Sequence, residues 1–288
     1  MEPENGILLL DKPYGHSSHE ITTYIKKLLG VSRAGHAGTL DPQVSGVLPI
    51  ALGRATKLLQ YIATKRKTYV GIIKFKHILS EEKVQQLFQQ FTGEITQTPP
   101  RESAVQKVAR KRTIYTLQFL EQSRENPRLV LFQTEVDAGT YIRTLCEDIG
   151  KKCGGARMEE LRRIAVGNIT EEKTVTLTKL IDAVWTWKNK NDLSGLEKML
   201  YVPETFIDFP KVIIKESAVP SILNGAQIAV PAIASYSETL KKDEKVSLYD
   251  EKNRFIGIGK IILSVGELKE KKHGITIRML RVHLSKPL

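Results

Sequence analysis

Two periodicities of apolar residues alternate along most of the chain and predict a mixture of strands and helices. Short runs rich in β-branched and aromatic side chains predict strands, and apolar residues three and four positions apart predict helices. Strands are predicted at residues 7–10, 68–75, 113–120 and 129–136, and residues 47–52 form a further apolar run. Helices are predicted at residues 21–29, 55–63, 84–91, 142–149, 158–163 and 178–187.

Capping signals fix the first helix more closely. Ser17 and Glu20 have the spacing of a capping box, in which each side chain bonds the other residue's backbone N–H. Gly30 follows the last apolar residue and predicts the end of the helix, because glycine readily adopts the left-handed conformation of a helix C-terminus.

The pattern changes near Pro210, where short strands separated by turns replace the mixed pattern. These strands are predicted at residues 212–214, 227–230, 246–249, 255–263 and 275–282. The preceding segment, residues 189–203, is polar and punctuated by Gly and Pro, which is typical of a domain boundary. The sequence therefore predicts one domain at residues 1–205 and a small β-barrel-like domain at residues 210–288.

Charge narrows the class of partner. The 288 residues contain 44 Lys and Arg against 32 Asp and Glu, a formal net charge of +12. Such an excess favours a polyanionic partner, with nucleic acid ahead of a membrane surface. Basic residues cluster at 65–67 and 107–112. Each cluster is either a set of phosphate contacts or an ordinary solvated surface.

Cysteine and histidine usage predicts neither disulfides nor a metal centre. Cys146 and Cys153 would lie about 10 Å apart along a helix, too far for a disulfide, which favours a reducing compartment. The six histidines show no metal-ligand spacing. Residues 1–5 do not have the character of a signal peptide, and no apolar run reaches membrane length, so we expect no association with a membrane.

One segment, residues 33–42, carries the candidate chemistry. Gly35 and Gly38 permit tight backbone turns, and Pro42 holds Asp41 in an extended or turn conformation. A carboxylate on a rigid turn between packed elements is well placed for catalysis, although Asp before Pro is also common in ordinary loops. The segment is not a phosphate-binding loop, because no Gly-Lys-Ser/Thr follows it.

Several ordered motifs together resemble the TruB/dyskerin family of RNA pseudouridine synthases over nearly the whole chain. The C-terminal part resembles a PUA domain through Asn224-Gly225-Ala226 and Val230-Pro231-Ala232-Ile233. The matching segments of the first domain are Leu10-Asp11-Lys12-Pro13, Gly35-His36-Ala37-Gly38-Thr39-Leu40-Asp41-Pro42, Gly53-Arg54-Ala55-Thr56-Lys57, Lys67-Thr68-Tyr69, Pro99-Pro100, Ser103-Ala104-Val105, Ala138-Gly139-Thr140-Tyr141-Ile142-Arg143 and Leu161-Arg162-Arg163.

This resemblance implies an α+β fold, with a central mixed β-sheet and a small C-terminal β-barrel-like PUA domain. Within the family the chain is most similar to the archaeal dyskerin branch, whose members are catalytic subunits of box H/ACA ribonucleoproteins. The segment between Tyr69 and Gln97 is too short for the RNA-clasping insertion typical of bacterial members. The N-terminal extension usual in the dyskerin branch is missing ahead of Asp11, which implies a PUA domain less firmly tied to the catalytic domain.

The resemblance also implies roles for individual residues. Asp41 is the expected catalytic carboxylate, as sugar nucleophile or as base, and Arg143 its positive partner. Tyr69 is expected to stack on the flipped base. The expected substrate- and RNA-binding residues are His36, Lys12, Pro13, Leu161, Lys111 and Arg112. No cofactor and no metal are expected.

The implied function is isomerisation of uridine to pseudouridine in RNA, guided in rRNA by a box H/ACA guide RNA, and also at uridine-55 of tRNA. The expected partners are guide RNA, rRNA, tRNA and accessory H/ACA proteins. The alternatives are a stand-alone synthase for tRNA uridine-55 and a non-catalytic RNA-binding scaffold. The expected location is the cytoplasm, or the nucleolus of a eukaryotic host.

Overall fold

The computed structural model describes residues 5–99 and 106–284. The chain divides into two compact units, Met1–Tyr201 and Val202–Leu288, each with hydrophobic core residues of its own. Part of one predicted family motif, Pro100 and Ser103–Val105, lies outside the described residues.

The first unit combines one large sheet with helices. Its strands are β1 (Ile7–Lys12), β2 (Ala34–His36), β3 (Val44–Leu52), β4 (Lys67–Phe75), β5 (Gly93–Gln97), β6 (Arg110–Gln122), β7 (Leu129–Val136), β8 (Ala156–Val166), β9 (Ile169–Thr170), β10 (Val175–Thr176) and β11 (Leu200–Tyr201). Its α-helices are α1 (Ser18–Leu29), α2 (Leu59–Ala63), α3 (Glu81–Phe91), α4 (Ile142–Lys151), α5 (Leu177–Lys190) and α6 (Ser194–Glu197).

Strand order makes this sheet mixed, as predicted. The main path runs β10-β1-β3-β8-β4-β7-β6-β5, with β2, β9 and β11 attached to β3, β8 and β1. The β1–β10 and β3–β8 pairs are parallel, whereas β8–β4 and β4–β7 are antiparallel. Strands β3, β8 and β4 are therefore neighbours at the centre of the sheet, although they are far apart in the sequence.

The predicted signals at the first helix are confirmed. The Ser17 hydroxyl accepts a hydrogen bond from the Glu20 backbone N–H, and the Glu20 carboxylate accepts one from the Ser17 N–H. Gly30 caps the end of α1 with φ of 71°. The helix buries Ile21, Ile25 and Leu29 in the core. This geometry fixes where α1 begins, next to the loop that carries Asp41.

The predicted helix at residues 158–163 is wrong, because these residues lie in β8. Glu, Leu, Met and Arg have good helix propensity, which suggested a helix. Pairing with β3 on one side and with β4 on the other overrides that preference. The difference matters because a strand directs Leu161 and Arg163 to the same face of the sheet.

The second unit forms a separate six-stranded sheet among the described residues, in the order β13-β17-β16-β15-β12-β14. Its strands are β12 (Lys211–Ile214), β13 (Ile228–Ala229), β14 (Ile233–Tyr236), β15 (Lys245–Asp250), β16 (Phe255–Ile261) and β17 (Ile275–Val282). Its α-helices are α7 (Val219–Leu223) and α8 (Val265–Glu270). In residues 5–99 and 106–284, no helix combines the length and the apolar character that a membrane span requires.

Candidate active site

A cavity of about 480 Å³ opens in the first unit where several segments meet. They are the loop before β3 with the first residue of β3, the end of α2, strands β4 and β8, and the turn that leads into α4 with the first residues of that helix. The structure brings four of the sequence-predicted residues to this cavity: Asp41, Tyr69, Arg143 and Leu161. These residues are distant in the sequence, so the fold alone brings them together.

Strands β4 and β8 supply one wall of the cavity. Lys67 and Tyr69 are two positions apart on β4 and both are buried, so they share a face. Tyr69 pairs across strands with Arg163, and Gly71 pairs with Leu161. Arg163 therefore lies beside Tyr69 on the cavity face.

Arg162 serves a different part of the fold. Its guanidinium forms two hydrogen bonds with the Asp11 carboxylate at 2.9 and 3.1 Å, and Nε donates to Glu171 at 2.8 Å. This network links β8 to β1 across the intervening β3. Arg162 thus supports the sheet, whereas its neighbours Leu161 and Arg163 line the cavity.

The Asp41 loop is attached to the start of α1. The buried Ser18 hydroxyl donates to the Leu40 carbonyl at 2.9 Å and accepts from the Leu40 N–H at 2.8 Å. The Asp41 carbonyl accepts from the Val44 N–H at 3.0 Å, which closes the turn. Asp41 itself is solvent-exposed, so its carboxylate is accessible to a substrate.

Lys12 lies beneath this loop, fully buried. Its ammonium donates to the carbonyls of Pro13 at 2.8 Å, His16 at 2.5 Å and Pro42 at 3.4 Å. Burial lowers the pKa of Lys12, and the charge of Asp41 opposes that effect. Lys12 thus supports the Asp41 loop from below through the Pro42 carbonyl, and neither Lys12 nor Pro13 lines the cavity.

His36 is half-buried beside the loop and also outside the cavity lining. The Thr22 hydroxyl donates to the Ser18 carbonyl at 2.7 Å, so it accepts from His36 Nδ1–H at 3.0 Å. His36 Nε2 then accepts from the Thr39 hydroxyl at 3.2 Å. Burial lowers the pKa of His36, helped by Arg163 and His19, which favours the neutral imidazole.

Two buried cations in the cavity lining, Lys67 and Arg163, were not assigned as site residues from the sequence. Arg163 Nε donates to the Val47 carbonyl at 2.8 Å and Nη2 to the Gly38 carbonyl at 2.9 Å. The Lys67 ammonium donates to the carbonyls of Ala63 and Lys65. Burial, followed by the charge of Arg163, lowers the pKa of Lys67 to about 8. Lys67 is 4% exposed, so it does not belong to an exposed basic cluster at residues 65–67.

Glycines permit this close packing around Arg163. A Cβ on Gly46 would lie 2.1 Å from the Arg163 carbonyl oxygen, and Gly46 has φ of 103°. A Cβ on Gly38 would lie 3.3 Å from Arg163 Nη1 and 3.5 Å from Lys67 Cε, with φ of 84°. Both positions favour glycine because of their positive φ, and Gly46 also requires it for space.

Arg143 occupies the second position of α4, where it is half-buried. The preceding turn is held by Gln97, whose side-chain amide donates to the Tyr141 carbonyl at 3.1 Å and accepts from the Tyr141 N–H at 3.0 Å. Ile142 and Leu145 anchor the helix in the core, as predicted. Arg143 is thereby presented to the cavity from a firmly held turn.

Lys111 and Arg112 lie on opposite faces of β6 because they are adjacent in a strand. Lys111 pairs with Glu94 at 2.9 Å and is largely exposed. Arg112 packs over Gly139 in the turn that lines the cavity, where a Cβ would lie 3.0 Å from Arg112 Nη2. Arg112 is therefore at the cavity rim, and Lys111 is not.

Family models match three parts of the chain. Residues 26–78 match the N-terminal domain of TruB family pseudouridylate synthases, and residues 143–207 match the C-terminal domain of tRNA pseudouridylate synthase B. Residues 210–283 match the PUA domain. The α+β fold with a C-terminal PUA domain is thus confirmed.

Curated archaeal relatives named "Probable tRNA pseudouridine synthase B" match almost the whole chain. The protein from Pyrobaculum aerophilum is 42% identical over 96% of this chain and 83% of its own length. The protein from Methanosarcina barkeri is 42% identical over 97% of this chain and 82% of its own length. The protein from Archaeoglobus fulgidus is 38% identical over 98% of this chain and 86% of its own length.

Solved structures also match the fold over almost the whole chain. One, from a Cbf5-Nop10-Gar1 complex, has a TM-score of 0.88 and 39% identity over 99% of this chain and 86% of that chain. Another, from an H/ACA RNP bound to a substrate RNA containing 2'-deoxyuridine, has a TM-score of 0.88 and 38% identity. This match covers 99% of this chain and 87% of that chain. By identity and by coverage, the chain belongs to the TruB family of pseudouridylate synthases and is an RNA pseudouridine synthase.

Proposed function

We propose that the cavity at Asp41 receives a uridine flipped out of RNA and isomerises it to pseudouridine. The observation that carries this assignment is the convergence of Asp41, Tyr69, Arg143 and Leu161 on one cavity from separate parts of the chain. An opening of about 480 Å³ is of the size that a single nucleotide requires.

In this proposal Asp41 acts on the ribose, as nucleophile or as base, while the glycosidic bond breaks. Its exposure in the cavity and its rigid turn suit either role. The Arg143 guanidinium is the positive partner that orients the carboxylate. Tyr69 stacks on the base, and Leu161 packs against it, because both side chains belong to the wall formed by β4 and β8.

RNA outside the cavity is held by cationic residues of both units. Arg112 is placed to contact a phosphate next to the flipped nucleotide, since it lies over Gly139 at the cavity rim. We assign the domain at residues 210–288 to the ACA end of a guide RNA or to a tRNA acceptor end. The match of residues 210–283 to the PUA domain and the net charge of +12 support this assignment.

We infer that the chain works as the catalytic subunit of an archaeal-type box H/ACA ribonucleoprotein, with guide RNA, rRNA and accessory H/ACA proteins as partners. The similar solved structures, which are named as Cbf5 with Nop10 and Gar1 and as an H/ACA RNP with substrate RNA, support this inference. The second candidate is unguided action on tRNA, which the relatives named tRNA pseudouridine synthase B favour. A cytoplasmic location fits the archaeal sources of these relatives.

Mapping of pseudouridines distinguishes these functions. The purified chain is incubated with tRNA transcript or rRNA fragment, with and without a designed guide RNA and accessory proteins. Modification of rRNA that follows the guide sequence supports the guided function, and modification of tRNA without a guide supports the stand-alone function. Absence of pseudouridine under every condition would leave the scaffold alternative.

A further inference from the structure

The charges around the cavity are unbalanced. Of the described residues that line it, Asp41 is the one with a carboxylate, whereas Lys67, Arg143 and Arg163 are cationic. Lys67 is 4% exposed and Arg163 1% exposed. Burying two such cations next to each other is unfavourable unless something compensates them.

Lys67 and Arg163 both donate hydrogen bonds to backbone carbonyls. Lys67 donates to two carbonyls, of Ala63 and Lys65, and Arg163 donates to two, of Val47 and Gly38. An ammonium has three N–H donors and a guanidinium five, so each cation retains donors beyond those it uses within the described residues. Support of the loop explains the bonds that are made, but not why the groups are charged or why they line the cavity.

The reaction itself creates a negative charge at this place. When the bond from C1' to N1 breaks, its electron pair remains on N1, and the released uracil carries one negative charge. The ring delocalises this charge onto the oxygens O2 and O4. The charge is absent from the bound uridine, and it leaves the base when the electron pair of the anion forms the bond from C5 to C1'. The proton that C5 then loses is balanced by the proton that N1 gains. Donors fixed around it in advance would therefore stabilise the transition state more than the ground state.

The sheet places Lys67 and Arg163 where such a charge would develop. Lys67 precedes Tyr69 by two positions on β4, and Arg163 is the cross-strand partner of Tyr69 on β8. A base stacked on Tyr69 would thus lie near both cations, which are neighbours of each other at Gly38. We propose that Lys67 and Arg163 stabilise the uracil anion during glycosidic bond cleavage through its carbonyl oxygens. This inference rests on the proposed site at Asp41.

The same arrangement predicts discrimination between bases. Uracil presents a carbonyl oxygen at C4, which accepts from a cationic donor, whereas cytosine presents an amino group there, which is itself a donor. In a bound cytidine, the amino group at C4 would point a donor at the donors of Lys67 or Arg163. No hydrogen bond would form between them, and both groups would be buried without a partner.

A leaving-group comparison tests the proposal. Single-turnover formation of the C–C bond is measured on RNA with either uridine or 5-fluorouridine at the target, by chromatographic separation of the digested nucleosides against standards of each isomer. Fluorine withdraws electrons and makes the uracil anion more stable by itself. We expect Lys67→Met to slow the reaction of uridine about 100-fold, and that of 5-fluorouridine distinctly less. Lys67→Arg should retain most of the rate on both substrates.

Controls separate this role from structural support. Lys74→Met removes a lysine on β4 that pairs with Glu159 outside the cavity lining, and it should leave both rates unchanged. RNA affinity of Lys67→Met should stay within about twofold of that of the wild type, because no phosphate contact is lost. Lys67→Gln is measured in the same way, in case the Met variant folds poorly.

Two outcomes distinguish the inference from the assignment on which it rests. Equal slowing of uridine and 5-fluorouridine by both neutral Lys67 variants would overturn the inference and leave the site at Asp41 intact. Full activity of Asp41→Asn on both substrates would overturn the site itself.

Discussion

The Ser18 side chain bonds both polar groups of the Leu40 backbone. Its hydroxyl donates to the Leu40 carbonyl at 2.9 Å and accepts from the Leu40 N–H at 2.8 Å, and both residues are buried. Because Leu40 directly precedes Asp41, this contact fixes the position of Asp41 relative to α1. The hydroxyl of the adjacent Ser17 instead accepts from the Glu20 N–H, within the helix's own first turn.

We expect Ser18→Ala to reduce turnover by about 10- to 100-fold, because a small displacement of a catalytic group lowers the rate strongly. It should also lower the free energy of unfolding by about 1–3 kcal/mol, since two buried backbone groups lose their partner. Single-turnover kinetics, RNA-binding titration and thermal unfolding check these effects. The expected pattern is a reduced rate with RNA affinity retained.

Ser17→Ala is the matched control for Ser18→Ala. Loss of the capping box should lower stability by about 1 kcal/mol, with turnover unaffected while the protein is folded. If Ser17→Ala and Ser18→Ala slowed turnover equally, the loss would reflect helix stability and not the placement of Asp41.

The stability of the protein should depend on pH through Lys67. Its pKa is lowered from 10.5 to about 8 on folding, so between those values the unfolded state binds more protons than the folded state. The free energy of unfolding should therefore rise as pH increases from about 8 to 10.5, by up to about 3 kcal/mol from this residue.

Denaturant unfolding of the wild type and of Lys67→Met across this range isolates the contribution of Lys67. The difference in stability between the two proteins should change with pH above 8 and stay constant from pH 6 to 7.5. A constant difference over the whole range would mean that Lys67 keeps its ordinary pKa.

Arg112 and Lys111 should contribute unequally to RNA binding. Arg112→Gln should weaken binding and reduce the dependence of log affinity on log salt by about one unit, as expected for the loss of one phosphate contact. Lys111→Gln should have less effect, because Lys111 pairs with Glu94 on the other face of β6. Equal salt slopes for the two variants would show that the face of β6 does not determine contact with RNA.

Local sequence signals were sufficient for part of the fold. The start and end of α1 follow from Ser17, Glu20 and Gly30, whose contacts are confined to the helix itself. The strand predicted at residues 129–136 also has the observed bounds, because its side chains alternate between buried and half-buried. Asp41, Tyr69 and Arg143 were assigned from motifs, and the structure adds that they share a cavity.

The rest depends on contacts between distant residues. Arg163 bonds the carbonyl of Gly38, which is 125 positions away, and Ser18 bonds Leu40, which is 22 positions away. Residues 158–163 have helix-forming side chains, and only their pairing with β3 and β4 makes them a strand. Interpreted as a helix, the segment gave no reason to place Arg163 beside Tyr69.

We propose above that Asp41 performs the chemistry in this cavity. Asp41→Asn keeps the size and turn preference of the side chain but removes its charge and most of its nucleophilicity. Pseudouridine yield is measured under single-turnover conditions, alongside RNA affinity in the same samples. We predict an undetectable yield with affinity close to that of the wild type, whereas a wild-type yield from Asp41→Asn would contradict the catalytic assignment.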